Sequence, residues 1–243
     1  MKGRTTMKIT KAAMLALVAV FAFSVVVVAQ ATAAEYVYHV EKKELAKGET
    51  REIKSSVKKE FVLRGKGIFN IESVTKCKAL ELNAAEKPVI VGGKPGKSEK
   101  EKIEFKECSA TVGGAKCEKV EVENVSTSNE IVTVVKPEKL KGRLATLFTP
   151  AGEVFSKVKF IKCGALGNQK AEVKGKSAGL DEPNGLEEVK DWLVYATGEA
   201  EITEVERSNG EKVKVELTNE GKKATIEGEA WVELVKGEKW GVF

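Results

Sequence analysis

Histidine is all but missing: His39 is the one imidazole in 243 residues. A Ser-His-acid or Cys-His relay needs an imidazole to shuttle a proton. His39 sits in an alternating run, sharing a face with Val37 and Glu41, which is the pattern of a partly exposed strand residue. No G-x-S-x-G turn occurs. Zinc chemistry of the H-E-x-x-H type needs two histidines and is excluded. No phosphate-cradling glycine loop or dinucleotide fingerprint is present either. The four cysteines, Cys77, Cys108, Cys117 and Cys163, include no C-x-x-C redox pair and no C-x2-4-C zinc knuckle. These absences leave no catalytic, cofactor-binding or metal-binding residue to name.

Long apolar runs are also lacking, with one exception. Lys2, Arg4, Lys8 and Lys11 precede an apolar run over residues 12–29, dominated by Val, Ala, Leu and Phe, and small residues follow at Ala29, Ala31, Ala33 and Ala34. A basic start, an apolar middle and small-x-small sites form the layout of a secretory signal. Cleavage is expected between residues 31 and 34, which makes 1–34 a signal peptide and 35–243 a secreted region. If the segment stays uncut, its length suffices to tether the protein to a membrane. No cysteine follows it closely, so a lipoprotein anchor is disfavoured.

Removal of the signal changes the charge. The chain has 41 bases and 36 acids, and the signal carries four of the bases and none of the acids. A mature chain of 37 bases and 36 acids lacks the standing positive excess that phosphate neutralisation requires, so a nucleic-acid partner is not expected. Mixed stretches such as residues 94–107, KPGKSEKEKIEFKE, read as solvated surface.

Outside the cytosol an even cysteine count implies two disulfides. The spacings of 31, 9 and 46 residues leave three connectivities. A four-residue loop over 111–114, with glycines at 113 and 114, would place Cys108 opposite Cys117 on the same strand face. That geometry predicts Cys108–Cys117 and, by difference, Cys77–Cys163.

The mature region is rich in short alternating or β-branched runs. They lie at 36–41, 60–63, 68–74, 89–91, 102–106, 119–125, 131–135, 140–147, 154–161, 170–175, 192–206, 212–218, 224–235 and 240–243. Glycine-bearing turns separate many of them, and Asn209-Gly210 is a strong hairpin signal. The fold class expected is all-β, an antiparallel sandwich or barrel. Helix signal is thin, with 186–193, LEEVKDWL, fitting two turns. A soft division near 179–185, GLDEPNG, allows two lobes.

Function is less legible. Thirty-six acids permit a carboxylate-based glycan hydrolase, yet no pair stands out. Asp181, Glu182, Asn184, Glu187 and Glu188 offer oxygens without calcium-loop spacing, and read as a turn before a short helix. Trp192, Tyr195, Trp231 and Trp240 cluster in the last fifty-two residues. Exposed aromatics on a strand face stack on ligands such as a cell-wall glycan. The expectation is therefore a secreted, disulfide-stapled, non-enzymatic β protein with a binding or structural role at the cell surface.

The order of segments adds one resemblance. YHVEKKELAKGETREI at 38–53 and FVLRGKG at 61–67 lead to Cys77, and VIVGGKPG and IEFKEC lead to Cys108 and Cys117. IVTVVKPEKLKGRL, VKFIKC ending at Cys163, and AEVKGKSAGL follow. The series resembles a group of uncharacterised, exported, β-rich, four-cysteine bacterial proteins of actinobacterial type. The resemblance implies export and two disulfides, and it carries no activity and no functional residues.

Overall fold

Among the described residues the alternating runs become eighteen strands, every pair of which is antiparallel. This computed structural model describes residues 36–67, 70–123 and 125–243; the expected signal at 1–34 lies outside the described residues. In chain order the first strands are β1 (Tyr38–Val40), β2 (Lys43–Glu44), β3 (Thr50–Lys66), β4 (Glu72–Leu82), β5 (Val89–Val91) and β6 (Lys97–Val112). β7 (Ala115–Lys116), β8 (Lys119–Val122), β9 (Val125–Lys136), β10 (Leu144–Pro150), β11 (Val154–Ile161) and β12 (Gln169–Glu182) follow. The last are β13 (Lys190–Tyr195), β14 (Glu204–Glu206), β15 (Lys212–Lys214), β16 (Glu216–Asn219), β17 (Lys222–Leu234) and β18 (Trp240–Val242).

Eight of these strands close a ring. β3, β4, β6, β9, β10, β12, β13 and β17 each pair with the next, and β17 pairs back onto β3. The chain visits them in sequence order, so the core is an up-and-down antiparallel barrel. Closure leaves the ring no open edge. At eight strands the interior is just wide enough to be filled by side chains or to hold one small ligand.

The long strands also serve a second layer. β12 pairs with β10 and β13 from Ser177 onward, but with β11 and β16 over its earlier residues. β11 in turn pairs with β8, and β16 with β17. This extension has its own core of Ala110, Val112, Cys117, Val158, Phe160, Cys163 and Ala171. Residues 179–185 form the end of β12 and the turn after it.

Both ends of the barrel interior are covered. At one end β1, β2 and β18 make a three-stranded cap, so residues from the two ends of the described chain lie side by side. Tyr38, Val40, Leu45, Trp240 and Val242 pack down onto Ile53, Ile90, Ile131 and Leu234. Toward the other end Phe61, Phe148 and Tyr195 form a plug, with ring centroids 5.5 Å apart for Phe61–Tyr195 and 5.8 Å for Phe148–Tyr195. Two glycines make room for it. A Cβ on Gly228 would lie 2.8 Å from the Phe61 ring, and one on Gly179 3.0 Å from Tyr195.

Two sequence expectations are corrected. Residues 186–193 form no helix: they run into β13, and Glu188 bridges to Trp240. The disulfides are Cys77–Cys108 and Cys117–Cys163, not Cys108–Cys117 and Cys77–Cys163. The hairpin turn is two residues long, not four. Gly113 and Gly114 have φ of 57° and 80°, and a two-residue turn of this kind wants positive φ at both central positions. Val112 therefore faces Ala115, and Cys117 faces Ala110 rather than Cys108. Cys108 is directly opposed to Cys77 on β4, while Cys117 leaves the hairpin to reach Cys163 after β11.

The two closed loops span 31 and 46 residues and do not overlap in sequence, so their constraints on the unfolded chain are independent. The chain-entropy relation gives each about 4 kcal/mol. Non-reducing peptide mapping should yield Cys77–Cys108 and Cys117–Cys163 peptides, and a Cys108–Cys117 peptide would contradict the register. Replacing Cys117 and Cys163 together with alanine should lower the unfolding free energy by about 2–4 kcal/mol in a denaturant titration.

Candidate functional site

Between cap and plug the barrel encloses a cavity of about 50 Å³. That is room for about four water molecules. Much of its wall is apolar, built by Ile53, Leu80, Ile90, Val232 and their neighbours. Three carboxyl groups interrupt it: Glu101, Asp181 and Asp191 are 7%, 7% and 5% exposed. No lysine, arginine or histidine among the described residues lines the cavity.

Each acid arrives by a different local device. Glu101 is turned inward by a bulge in the β6–β9 ladder. Ser98 faces Asn129 and Glu101 faces Thr127, so three steps on β6 match two on β9, and Lys100 takes up the slack at φ 59°. Strict alternation from Ser98 would have pointed Lys100 inward and Glu101 out. Asp181 is the next-to-last residue of β12, one step before the Glu182 that leaves the wall to bind Arg143 at 2.7 Å. Asp191 shares the inward row of β13 with Leu193 and Tyr195, opposite Val232 of β17.

Their surroundings are unequal. Thr146 Oγ1 donates to Asp181, 3.0 Å from Oδ1 and 3.2 Å from Oδ2. Glu101 has hydrogen-bond support from Ser98 and Asn129, and Asn129 Nδ2 donates to Ser98 Oγ at 3.1 Å. Asp191 Oδ1 has no hydrogen-bond partner, nor does Trp240 Nε1 on the same cavity wall. An unpaired buried polar atom costs about 1–3 kcal/mol unless something supplies the partner.

Burial dominates the acidities. Desolvation lifts Glu101 to about 7 against the pull of Ser98 and Asn129, and lifts Asp181 to about 7 against that of Thr146. Asp191 rises to about 9, first by desolvation and then by repulsion from Asp181, Glu188 and Glu187. Tyr38 and Tyr195 are likewise pushed well up by burial, helped by the negative charge of Asp181 and Glu101. A buried carboxyl with no countercharge holds its proton rather than ionise in an apolar wall.

The residues singled out in the sequence do not assemble into one platform. Trp192 and Trp231 are directly opposed on β13 and β17 and meet edge to face at 5.4 Å. Lys58 Nζ lies 3.6 Å above the Trp192 ring and is ion-paired with Glu229 at 3.1 Å, so a ring face is already covered. Tyr195 and Trp240 belong to the interior instead. His39 stacks on Phe243 at 4.3 Å and contributes nothing to the cavity wall. The 181–188 oxygens scatter: Asp181 inside, Glu182 on Arg143, Asn184 on the Leu144 backbone, and Glu187 on the Lys42 amide at 2.7 Å. No group of three or more metal-ligating side chains converges among the described residues. No helix among them is long and apolar enough to cross a membrane.

Sequence reasoning missed Glu101 and Asp191, and took Asp181 as a turn residue rather than an interior one. Glu101 was hidden in a Lys/Glu mixture, and the bulge that turns it has no clear mark in the sequence. Comparison with known proteins returns no matching family, no matching curated sequence and no matching solved structure. The site's chemistry therefore rests on its own geometry.

The raised acidities make stability fall as pH rises. Between pH 4 and 7 the folded protein keeps protons on Glu101 and Asp181 that the unfolded chain has lost, and for Asp191 the window extends to about 9. Each group contributes up to about 1.4 kcal/mol per pH unit within its window. Glu49, Glu121, Glu211 and Glu233 are lowered by hydrogen bonds from Arg51, Lys119, Arg207 and Lys190, the opposite direction to the interior acids. Thermal unfolding should show a melting temperature that declines from pH 5 to pH 9. Asp191→Asn should flatten the decline above pH 7, and an unchanged profile in that variant would contradict the assignment.

Proposed function

We propose that this is an exported, non-enzymatic protein of the cell exterior, whose barrel holds a small polar ligand between cap and plug. The observation that carries the reading is the interior cavity with three unneutralised carboxyl groups and two partnerless polar atoms on its wall. Closed apolar cavities with a few convergent polar groups are where proteins place small ligands. Two disulfides and the signal-like N-terminal segment support an oxidising destination.

The hydrolase alternative finds less support. A glycan chain needs an open cleft with a carboxyl group on each side of the scissile bond. Glu101, Asp181 and Asp191 are instead enclosed in about 50 Å³, less than one sugar ring requires. A glycan-stacking role for the C-terminal aromatics is weakened by Lys58 over Trp192 and by the burial of Trp240.

Equilibrium dialysis of the exported protein against pooled small polar molecules tests the reading, with glycan polymers assayed in parallel. Retention of a small molecule and no release of reducing ends is expected. Glycan turnover that disappears in Glu101→Gln or Asp191→Asn would overturn it in favour of hydrolysis.

A further inference from the structure

The interior site also restricts the chemistry of its occupant. Its charged groups are all of one sign, and no base among the described residues lines the wall to balance them. A neutral ligand would leave them to hold protons, whereas a positive one would exchange for those protons. Asp191 Oδ1, on a residue 5% exposed, is an acceptor that lacks a donor. Trp240 Nε1, on a residue 4% exposed, is a donor that lacks an acceptor. The two belong to different elements, β13 and β18, and line the same cavity. Tyr38 and Trp240, with ring centroids 6.0 Å apart, add aromatic surface of the kind that attracts cations. The volume of about 50 Å³ matches about four non-hydrogen atoms, counted as the four waters it would otherwise hold.

We propose that the barrel interior binds a small primary ammonium that also carries a hydroxyl, its ammonium against Asp191 and the neighbouring Asp181, its oxygen accepting from Trp240 Nε1. This rests on the small-ligand reading above and specifies its chemistry. A volume of about 50 Å³ holds the amine without a lipid or polymer chain attached to it. Around the carboxyl groups stand Ser98 from β6, Asn129 from β9, Thr146 from β10, Tyr195 from β13 and Tyr38 from β1. All of them are uncharged and able to share hydrogen bonds with the ion.

Calorimetry and thermal-shift measurements on the exported protein at pH 8 would compare ethanolamine, ethylene glycol and glycolate. Ethanolamine should bind and raise the melting temperature. Ethylene glycol, which matches it atom for atom without the charge, should bind at least about tenfold more weakly, and the anionic glycolate not at all. Asp191→Asn should melt at or above the parent temperature and lose ethanolamine affinity by about tenfold or more. Asp181→Asn provides the same test from the neighbouring carboxyl group if the first variant folds poorly. Equal binding of ethylene glycol or glycolate would overturn the cation inference and leave the small-ligand reading standing. Retention of an unrelated small molecule in dialysis, with no ethanolamine binding, would do the same. No small-molecule binding of any charge would overturn both.

Discussion

The ladder between β6 and β9 is the contact on which the rest depends. Without it the eight strands form an open sheet with two long edges, and the interior row of β6 faces water. With it the sheet becomes a ring, and the apolar rows of all eight strands face one another. The same ladder contains the bulge that turns Glu101 inward. Closure and the first interior charge thus come from one irregularity. A bulge shortens the pairing by one residue, increases local twist and re-aims a side chain, which is how barrels close and how they place functional groups.

The outer and inner faces divide the charge accordingly. Outside, cross-strand Lys–Glu pairs such as Lys54–Glu233 and Lys190–Glu233 lie in solvent, where each contributes little to stability. Inside, three acids meet no base among the described residues, and the protein accommodates them by holding Asp191 protonated at neutral pH and Glu101 and Asp181 partly so. The disulfides brace this arrangement at two places, one across β4 and β6 within the ring and one across the extension beyond it. A barrel that accepts uncompensated acids in its core gives up stability for them, and the independent loop closures offset that loss.

The strands were legible because alternation and β-branching report half-buried strands directly. The runs at 89–91 and 154–161 coincide with β5 and β11, and the Asn209-Gly210 turn joins β14 to β15. What was not legible turned on single-residue register. Centring the turn on Gly113 and Gly114 rather than on 111–114 changes the cysteine partners completely. Asp181 sits beside a genuine turn that begins two residues later than its acid-rich sequence suggests. Asp191 lies in a strand with apolar residues on both faces, Trp192 and Val194 outward and Leu193 and Tyr195 inward, so no alternation marks it. Leu186, Val189 and Leu193 imitate helical spacing there, although Leu186 and Val189 are exposed. The aromatic set was visible as a cluster in sequence, but a strand sends its neighbours to opposite faces, and the set split between the wall and the interior.

The central claim is that the closed barrel holds carboxyl groups with no countercharge. The most direct test is a carbon-13 titration of the side-chain carboxyl resonances of the ligand-free exported protein, with Glu101, Asp181 and Asp191 assigned by their amide variants. The account predicts midpoints near 7 for Glu101 and Asp181 and near 9 for Asp191. Midpoints near 4 for all three would mean that the interior is open to water or already neutralised, and would contradict it.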